Sequence, residues 1–154
     1  MDLFMDWFCL KELSIDFNQK ELIQWQNCSE ILISNALIQP QVIVHRDFHS
    51  RNLMHTRDSN PGVLDYQDAV IGPITYDLVS LLRDCYISLS KTLLNQFLED
   101  YYLNLEPSLK NKMTFNNFLR YFDLMGIQRH LKAIGIFSSF SMFSIKSGYP
   151  LKTD

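Results

Sequence analysis

The feature that most constrains this chain is a short polar loop set between two apolar segments. The loop carries His45, Asp47 and Asn52, with Asn52 five positions after Asp47. A second carboxylate, Asp65, follows Asp47 by eighteen positions and ends a short apolar run. Apolar, β-branched residues on either side of a polar turn are typical of short strands. The sequence therefore predicts a small hairpin that presents polar side chains at one end.

The order of these residues is that of a kinase catalytic loop followed by a metal-binding aspartate. Transfer of a phosphoryl group from ATP needs a carboxylate that orients the acceptor hydroxyl and takes its proton, and Asp47 is the candidate. Mg²⁺ prefers oxygen ligands, and Asn52 and Asp65 are the candidate ligands. The alternative is a hairpin loop with surface charges. The flanking strands and the second aspartate, in the right order, favour the kinase interpretation.

The loop HRDFHSRNLM, the segment DYQDAVIGPITYDLVSLLRD and the later QRHLK resemble the aminoglycoside phosphotransferase and choline kinase branch of the kinase-like fold. That branch typically shows H-G-D-x-H-x-x-N, then an aspartate, then G-D-P-x-x-D-L. Here His49 lies two positions after Asp47, as in that branch, and Asp65 is followed by Tyr-Gln and not by Phe-Gly.

Within this branch, the same three segments are most similar to bacterial cell-wall-recycling kinases. Those enzymes phosphorylate the anomeric hydroxyl of N-acetylmuramate and N-acetylglucosamine. The resemblance runs from about residue 3 to residue 136, and the last eighteen residues do not share it. It implies ATP and Mg²⁺ as cofactors and a sugar as the small-molecule substrate.

The resemblance implies a mainly α fold with a small β-hairpin (α+β), the C-terminal lobe of a kinase-like fold. We expect that lobe to occupy residues 1–137 and a loosely ordered tail to occupy 138–154. The 41 residues before Val42 contain two lysines and no glycine. A Gly-rich loop and a strand lysine normally cover the nucleotide phosphates. We therefore expect that the N-terminal nucleotide lobe is absent from this chain.

The resemblance also assigns supporting roles. His45 is expected to orient the loop. Asp77 is either a carboxylate at a helix N-terminus or, as we favour, a buried carboxylate that braces the catalytic loop. Further residues are expected either to contact the substrate or phosphate or to serve only structure and solvation; these are His49, Arg51, Asp68, Arg129 and His130.

Composition excludes several classes of protein. A net charge of −3 and a pI near 5.7 give no basic footprint for nucleic acid. No apolar run approaches the roughly 18 residues of a membrane span. The three cysteines show no C-x-x-C spacing, which favours core thiols in a reducing compartment. The first residues carry acids where a secretory signal needs basic residues. We therefore expect a cytoplasmic protein.

Hydrophobic periodicity and capping signals predict the remaining elements. Asn18 and Glu21 form a capping-box pair before a long helix, Thr75 is a candidate N-cap, and Gly72-Pro73 predicts a turn. Strands are expected to be confined largely to residues 42–65. The predicted helices cover 2–10, 19–37, 76–89, 93–105 and 114–137, and the predicted strands cover 42–44, 53–56 and 63–65.

Two classes of function follow. The first is an ATP-dependent amino-sugar 1-kinase in cell-wall recycling, which a separately encoded N-terminal lobe would complete. The second is a non-catalytic fragment of a split or truncated kinase gene. An aminoglycoside- or choline-type acceptor is a further alternative, and analogy of fold does not choose among acceptors.

Overall fold

The computed structural model describes residues 2–147 of the chain, and side chains up to residue 141. Helices dominate this part, and its strands form two separate two-stranded antiparallel sheets. The chain divides into two compact units. One contains the described residues before Ser34 and from Ile127 onward, and the other is Ser34–Gly126. Among the residues described, none of the helices combines the length and hydropathy that crossing a bilayer requires.

The first unit begins with a π-helix, Phe4–Glu12, where the sequence predicts a helix over 2–10. Its wide turn continues at the end, where the Leu13 N–H donates to the Phe8 carbonyl five residues back, at 3.0 Å. The Phe4 ring stacks on Trp25 with centroids 5.4 Å apart. The helix thus uses its aromatic face for packing inside this unit.

Helix α1, Gln19–Leu37, has the bounds that the sequence predicts. The Glu21 N–H donates to Asn18 Oδ1 at 3.1 Å, and the Asn18 N–H donates to Glu21 Oε2 at 2.9 Å. The predicted capping box is therefore confirmed. Of the leucines and isoleucines on the helix, Leu32 is buried, whereas five are exposed: Leu22, Ile23, Ile31, Ile33 and Leu37.

Two small sheets organise the second unit. Strand β1, Gln41–Val44, pairs antiparallel with β4, Val70–Pro73. Strand β2, Leu53–Met54, pairs with β3, Gly62–Val63, which confirms the predicted hairpin with shorter strands. We expected strands to be confined largely to residues 42–65, and β4 is a strand beyond that range that the sequence did not predict.

The glycine in β4, Gly72, explains why the sequence did not predict this strand. A side chain at Gly72 would place Cβ only 2.7 Å from Val44 Cγ2. Glycine is needed here so that the buried Val44 can pack against β4, and it makes no turn. The turn predicted at Gly72-Pro73 was wrong for this reason. Pro73 ends the strand, a position where the ladder does not need its missing N–H.

Helix α2, Tyr76–Leu82, is shorter than the predicted helix over 76–89, because Arg83 leaves helical geometry at φ −119° and ψ 39°. Thr75 occupies the N-cap position but its side chain does not cap the helix. Its hydroxyl lies 2.7 Å from Gln39 Oε1 and donates to it. Both side chains are buried, so this bond satisfies polar groups that water cannot reach.

Three further helices follow: α3, Lys91–Leu103, α4, Pro107–Lys110, and α5, Phe115–Ser147. The prediction of a loosely ordered tail from residue 138 was wrong over residues 138–147, which are helical. The rest of that tail lies outside the described residues. Serine content misled the prediction. The Ser139 hydroxyl donates to the Ile136 carbonyl at 2.7 Å, inside the helix. A hydroxyl bonded in this way is compatible with a helix.

The core of the second unit is a cluster of buried side chains: Ile74, Val79, Leu82, Leu98, Met113, Phe118, Phe122 and Met125. Phe118 is fully buried and stacks near Tyr101, with centroids 5.8 Å apart. Helices α2, α3 and α5 all contribute to this cluster. Residues 77–82 are therefore anchored in the core.

The expectation of three core thiols holds for one of them. Cys9 is buried, and burial raises the pKa of its thiol. Cys28 and Cys85 are exposed. The absence of a C-x-x-C motif in the sequence gave no information about exposure, which depends on the packing of each helix.

We predict that Phe118→Ala lowers the free energy of unfolding by about 3–5 kcal/mol, because it leaves a cavity in a fully buried aromatic cluster. Phe97, which is 41% exposed, provides the matched control. Phe97→Ala should cost less than about half as much. Urea denaturation of the parent and both variants measures the difference, and equal losses would contradict the assignment of the core.

Candidate active site

The polar loop runs from the end of β1 through a 3-10 turn, Ser50–Asn52, into β2. The Asp47 carbonyl accepts from two donors: the His49 N–H at 3.0 Å and the Asn52 side-chain amide at 2.9 Å. Since the Asn52 amide nitrogen donates to Asp47, its amide oxygen is the atom that it can offer to a cation. The loop thus joins the candidate base and one candidate metal ligand directly.

Asp77 holds the beginning of the loop. Its two carboxylate oxygens accept the backbone N–H of His45, at 2.5 Å, and of Arg46, at 3.0 Å. Arg46 has φ +79°, in the region that favours glycine. The related kinase branch has glycine at this position. In this chain, two hydrogen bonds to the Asp77 carboxylate accompany the unfavourable backbone conformation of Arg46. We expected Asp77 to be buried, whereas the structure shows it half-buried.

Leu64 connects the loop to the segment that precedes Asp65. The His45 Nε2 lies 2.8 Å from the Leu64 carbonyl, and the Leu64 N–H donates to the Asn52 carbonyl at 2.9 Å. Both backbone groups of one residue therefore bond to the loop. This arrangement brings Asn52 and Asp65 to the same end of the hairpin, as a shared metal would require.

Asp65 turns sharply after β3, with φ +64°. Its carboxylate is exposed, and Oδ1 accepts from the Gln67 side-chain amide. In the described part of the chain, no group of three or more His, Cys, Asp or Glu side chains could hold a metal. One amide oxygen and one carboxylate suit Mg²⁺, which takes few protein ligands and completes its octahedron with water and phosphate oxygens. The donors of Asn52 and Asp65 thus fit that ion.

His49 and Arg51 both contact the ring of Tyr86. The Arg51 guanidinium carbon lies 3.8 Å from the ring centroid, a cation–π contact. The His49 ring meets Tyr86 edge-on, with centroids 6.0 Å apart. Arg51 is exposed, so its guanidinium remains accessible from solvent while Tyr86 limits its orientation.

Asp84 is a site residue that sequence reasoning missed. Its Oδ2 accepts from the Ser50 N–H at 2.9 Å and from the Ser50 hydroxyl at 2.6 Å, and its Oδ1 accepts from the Tyr86 N–H at 3.0 Å. Burial by itself would raise the pKa of Asp84. The hydrogen bonds from Ser50 and Tyr86 and the charge of His49 outweigh burial and lower the pKa below its ordinary value. Asp84 lies 34 positions from Ser50 and outside the loop motif, so no signal in the sequence marked it.

Three further predicted contacts lie outside the loop and the β2–β3 hairpin in the sequence. Asp68 is exposed in the turn before β4. Arg129 is half-buried and His130 is exposed, and both lie on α5 in the other compact unit. The second unit itself therefore gathers seven of the predicted residues around the hairpin: His45, Asp47, His49, Arg51, Asn52, Asp65 and Asp77.

A depression of about 410 Å³ lies beside the loop. Its wall is mainly apolar, with the His45 ring and the Asp77 carboxylate as its polar members. The other lining residues are Ile43, Phe48, Tyr66 and Ala69. The Phe48 ring packs edge-on against His45 at 5.8 Å, which helps to fix the imidazole.

The chain is similar in sequence to known phosphotransferases. A family model described as "Phosphotransferase enzyme family" matches residues 9–110. N-acetylmuramate/N-acetylglucosamine kinases from Pseudomonas putida, Pseudomonas aeruginosa and Neisseria meningitidis are 44%, 41% and 45% identical to the chain. Each match covers 90% of the chain and 41% of the relative, so the chain spans about two fifths of the relatives' length. These matches confirm the resemblance drawn from the loop motifs.

We predict that the Asp84 carboxyl titrates below its ordinary value of 3.8. A carboxyl with a lowered folded pKa stabilises the native state above its unfolded pKa, and that contribution is lost as pH falls through the folded value. The Ser50–Asp84 contact should therefore weaken only below about pH 3.8. Carbon-13 NMR titration measures the midpoint. Ser50→Ala should raise it and Ser50→Thr should preserve it; a parent midpoint at or above 3.8 would contradict the assignment.

Proposed function

The chain belongs to the phosphotransferase enzyme family, and we propose that it carries the catalytic loop of an ATP-dependent kinase for an amino-sugar hydroxyl. The proposed acceptor is the anomeric hydroxyl of N-acetylmuramate or N-acetylglucosamine, since three relatives are named as kinases of these sugars. Such a reaction belongs to cell-wall recycling in the cytoplasm, where ATP is supplied. The observation that carries the proposal is the bonding of Asp47 to Asn52, and of Asn52 to the segment entering Asp65.

In the proposed reaction, the acceptor hydroxyl gives its proton to the Asp47 carboxylate as its oxygen attacks the terminal phosphorus of ATP. The bond between that phosphorus and the bridging oxygen breaks, and ADP leaves with the electron pair. Asn52 and Asp65 would hold Mg²⁺, which would neutralise the phosphate charge. Asp77 and His45 keep the loop in the conformation that aims Asp47 at the acceptor.

Other residues are proposed as substrate contacts. Arg51 offers an exposed guanidinium for phosphate, with Tyr86 beneath it. His49, in contact with the same ring, and Asp68, in the next turn, are proposed to meet the acceptor or phosphate. Arg129 and His130 are proposed as sugar contacts because they lie in the QRHLK segment that resembles the sugar kinases.

We further propose that a second polypeptide segment, supplying the Gly-rich loop and strand lysine, completes the nucleotide site. The chain spans 41% of its relatives, and its sequence has no glycine before Gly62. Apolar side chains exposed on the β1–β4 sheet support this: Ile43 is 78% exposed and Ile71, its cross-strand partner, 67%. Exposed apolar patches of this kind mark interaction surfaces.

We predict that Asp47→Asn, in the kinase completed by its nucleotide lobe, lowers kcat by roughly 10²–10⁴-fold, because an amide cannot take the acceptor proton. The affinity for ATP should change little, since Asp47 faces the acceptor. Steady-state kinetics with N-acetylmuramate, N-acetylglucosamine, an aminoglycoside and choline measure both effects and identify the acceptor.

Asp100→Asn, on the exposed side of α3, is the matched control and should leave kcat unchanged. Loss of ATP binding in Asp47→Asn with turnover retained would show that Asp47 is not the base. Transfer to choline or an aminoglycoside and to neither sugar would refute the proposed acceptor.

We predict that the 154-residue chain alone binds Mg-ATP no more tightly than about 1 mM, because two protein ligands leave the triphosphate without a cover. Adding the nucleotide lobe should tighten binding, and Asp65→Ala should then remove its dependence on metal. Isothermal titration calorimetry measures each case. Micromolar affinity or sugar phosphorylation by the chain alone would contradict the proposal that the nucleotide site is only half present.

A further inference from the structure

We propose that Asp84 is a positioning residue for the catalytic loop, which it holds at the end opposite to the one held by Asp77. The inference rests on the proposed role of Asp47 as the base. Asp84 accepts hydrogen bonds from Ser50 directly. Through Tyr86, it also restrains His49 and Arg51. Helix α2 would then fix Asp47 from both sides.

The first argument is the placement of the two carboxylates. Asp77 lies in the first turn of α2, and Asp84 lies two residues beyond the last, Leu82. Arg46 and Ser50 are only four positions apart, and the backbone N–H of each donates to one of these carboxylates. The segment that contains Asp47 is thus held at both of its ends.

The second argument is the number and kind of bonds that Asp84 accepts. The Ser50 N–H and hydroxyl both donate to Oδ2, at 2.9 and 2.6 Å, and the Tyr86 N–H donates to Oδ1, at 3.0 Å. Bonds to a charged carboxylate are stronger than those between neutral groups. One half-buried side chain therefore fixes a loop residue and the backbone that carries the Tyr86 ring.

The third argument concerns Tyr86, which transmits the restraint. Its ring contacts Arg51 at 3.8 Å and His49 at 6.0 Å, so it bears on the residues on both sides of Ser50. Tyr86 is itself 46% exposed and lies beyond the end of α2. Its N–H bond to Asp84 orders this segment, and the ring position depends on that bond.

Because α2 is anchored in the core, the hydrogen bonds between Ser50 and Asp84 restrain the loop. Val79 and Leu82, between the two carboxylates, are buried in the core of the second unit. Restraint from the packed core therefore reaches the loop at two points. Loss of Asp84 should loosen residues 49–51 while the core, and the Asp77 bonds to His45 and Arg46, persist.

Amide hydrogen exchange of the full 154-residue chain, followed by NMR, tests this without any need for activity. In Asp84→Ala, we expect the Ser50 amide to exchange at least about tenfold faster relative to the core amide of Leu98. Asp100→Ala is the control and should leave this ratio unchanged. Unchanged exchange at residues 49–51 in Asp84→Ala would overturn the proposal.

A milder pair of variants covers the case in which Asp84→Ala fails to fold. Ser50→Ala removes only the hydroxyl donor, and Ser50→Thr keeps it. We expect faster exchange of the residue 50 amide, by a few fold, in Ser50→Ala and the parent rate in Ser50→Thr. Equal exchange rates of the residue 50 amide in the two variants would overturn the proposal that Asp84 holds Ser50 directly.

Kinetics of the completed kinase separate positioning from general stability. Asp84→Ala and Ser50→Ala should lower kcat, the former at least about tenfold, with KM for ATP within about twofold; Ser50→Thr should restore kcat. An active parent whose kcat is unaffected by Asp84→Ala would overturn the positioning role. A parent that phosphorylates no acceptor would instead refute the proposed function, and exchange would still decide whether Asp84 holds the loop.

Discussion

The bond between the Asp77 carboxylate and two consecutive backbone N–H groups is the interaction on which the candidate site depends. Through it, His45 and Arg46 are held where β1 ends, although Arg46 has a backbone conformation that L-residues rarely adopt. A single carboxylate can do this because α2 is anchored in the core by Val79 and Leu82. Core packing, helix position and loop geometry thus form one causal sequence.

Features that depend on neighbouring residues could be predicted from the sequence. Asn18 and Glu21 define the start of α1 through bonds three residues apart, and the helix has the predicted bounds. The β2–β3 hairpin follows from apolar runs around a polar turn. The family was identified from the loop motif together with the segments that follow it, and the match to the family model confirms it.

Features that depend on distant contacts could not be predicted. Asp84 acts on Ser50, 34 positions away, and Thr75 bonds to Gln39, 36 positions away. Neither pairing leaves a periodic signal in the sequence. The strand β4 is recognisable only from its partner β1, since its glycine makes room for Val44. The same limit applies to cysteine exposure and to the extension of α5 through a serine-rich segment.

Leu64 joins the two halves of the candidate site, since its N–H bonds to Asn52 and its carbonyl lies against His45. A ligand that displaced Leu64 from one side would therefore alter the binding of a ligand on the other side. Such coupling is reciprocal, because the coupling free energy belongs to the pair of ligands and not to either one. If a cation at Asp65 tightens binding of an acceptor at Asp47, the acceptor must tighten binding of the cation by the same factor. In this hairpin a single residue would transmit that cooperativity.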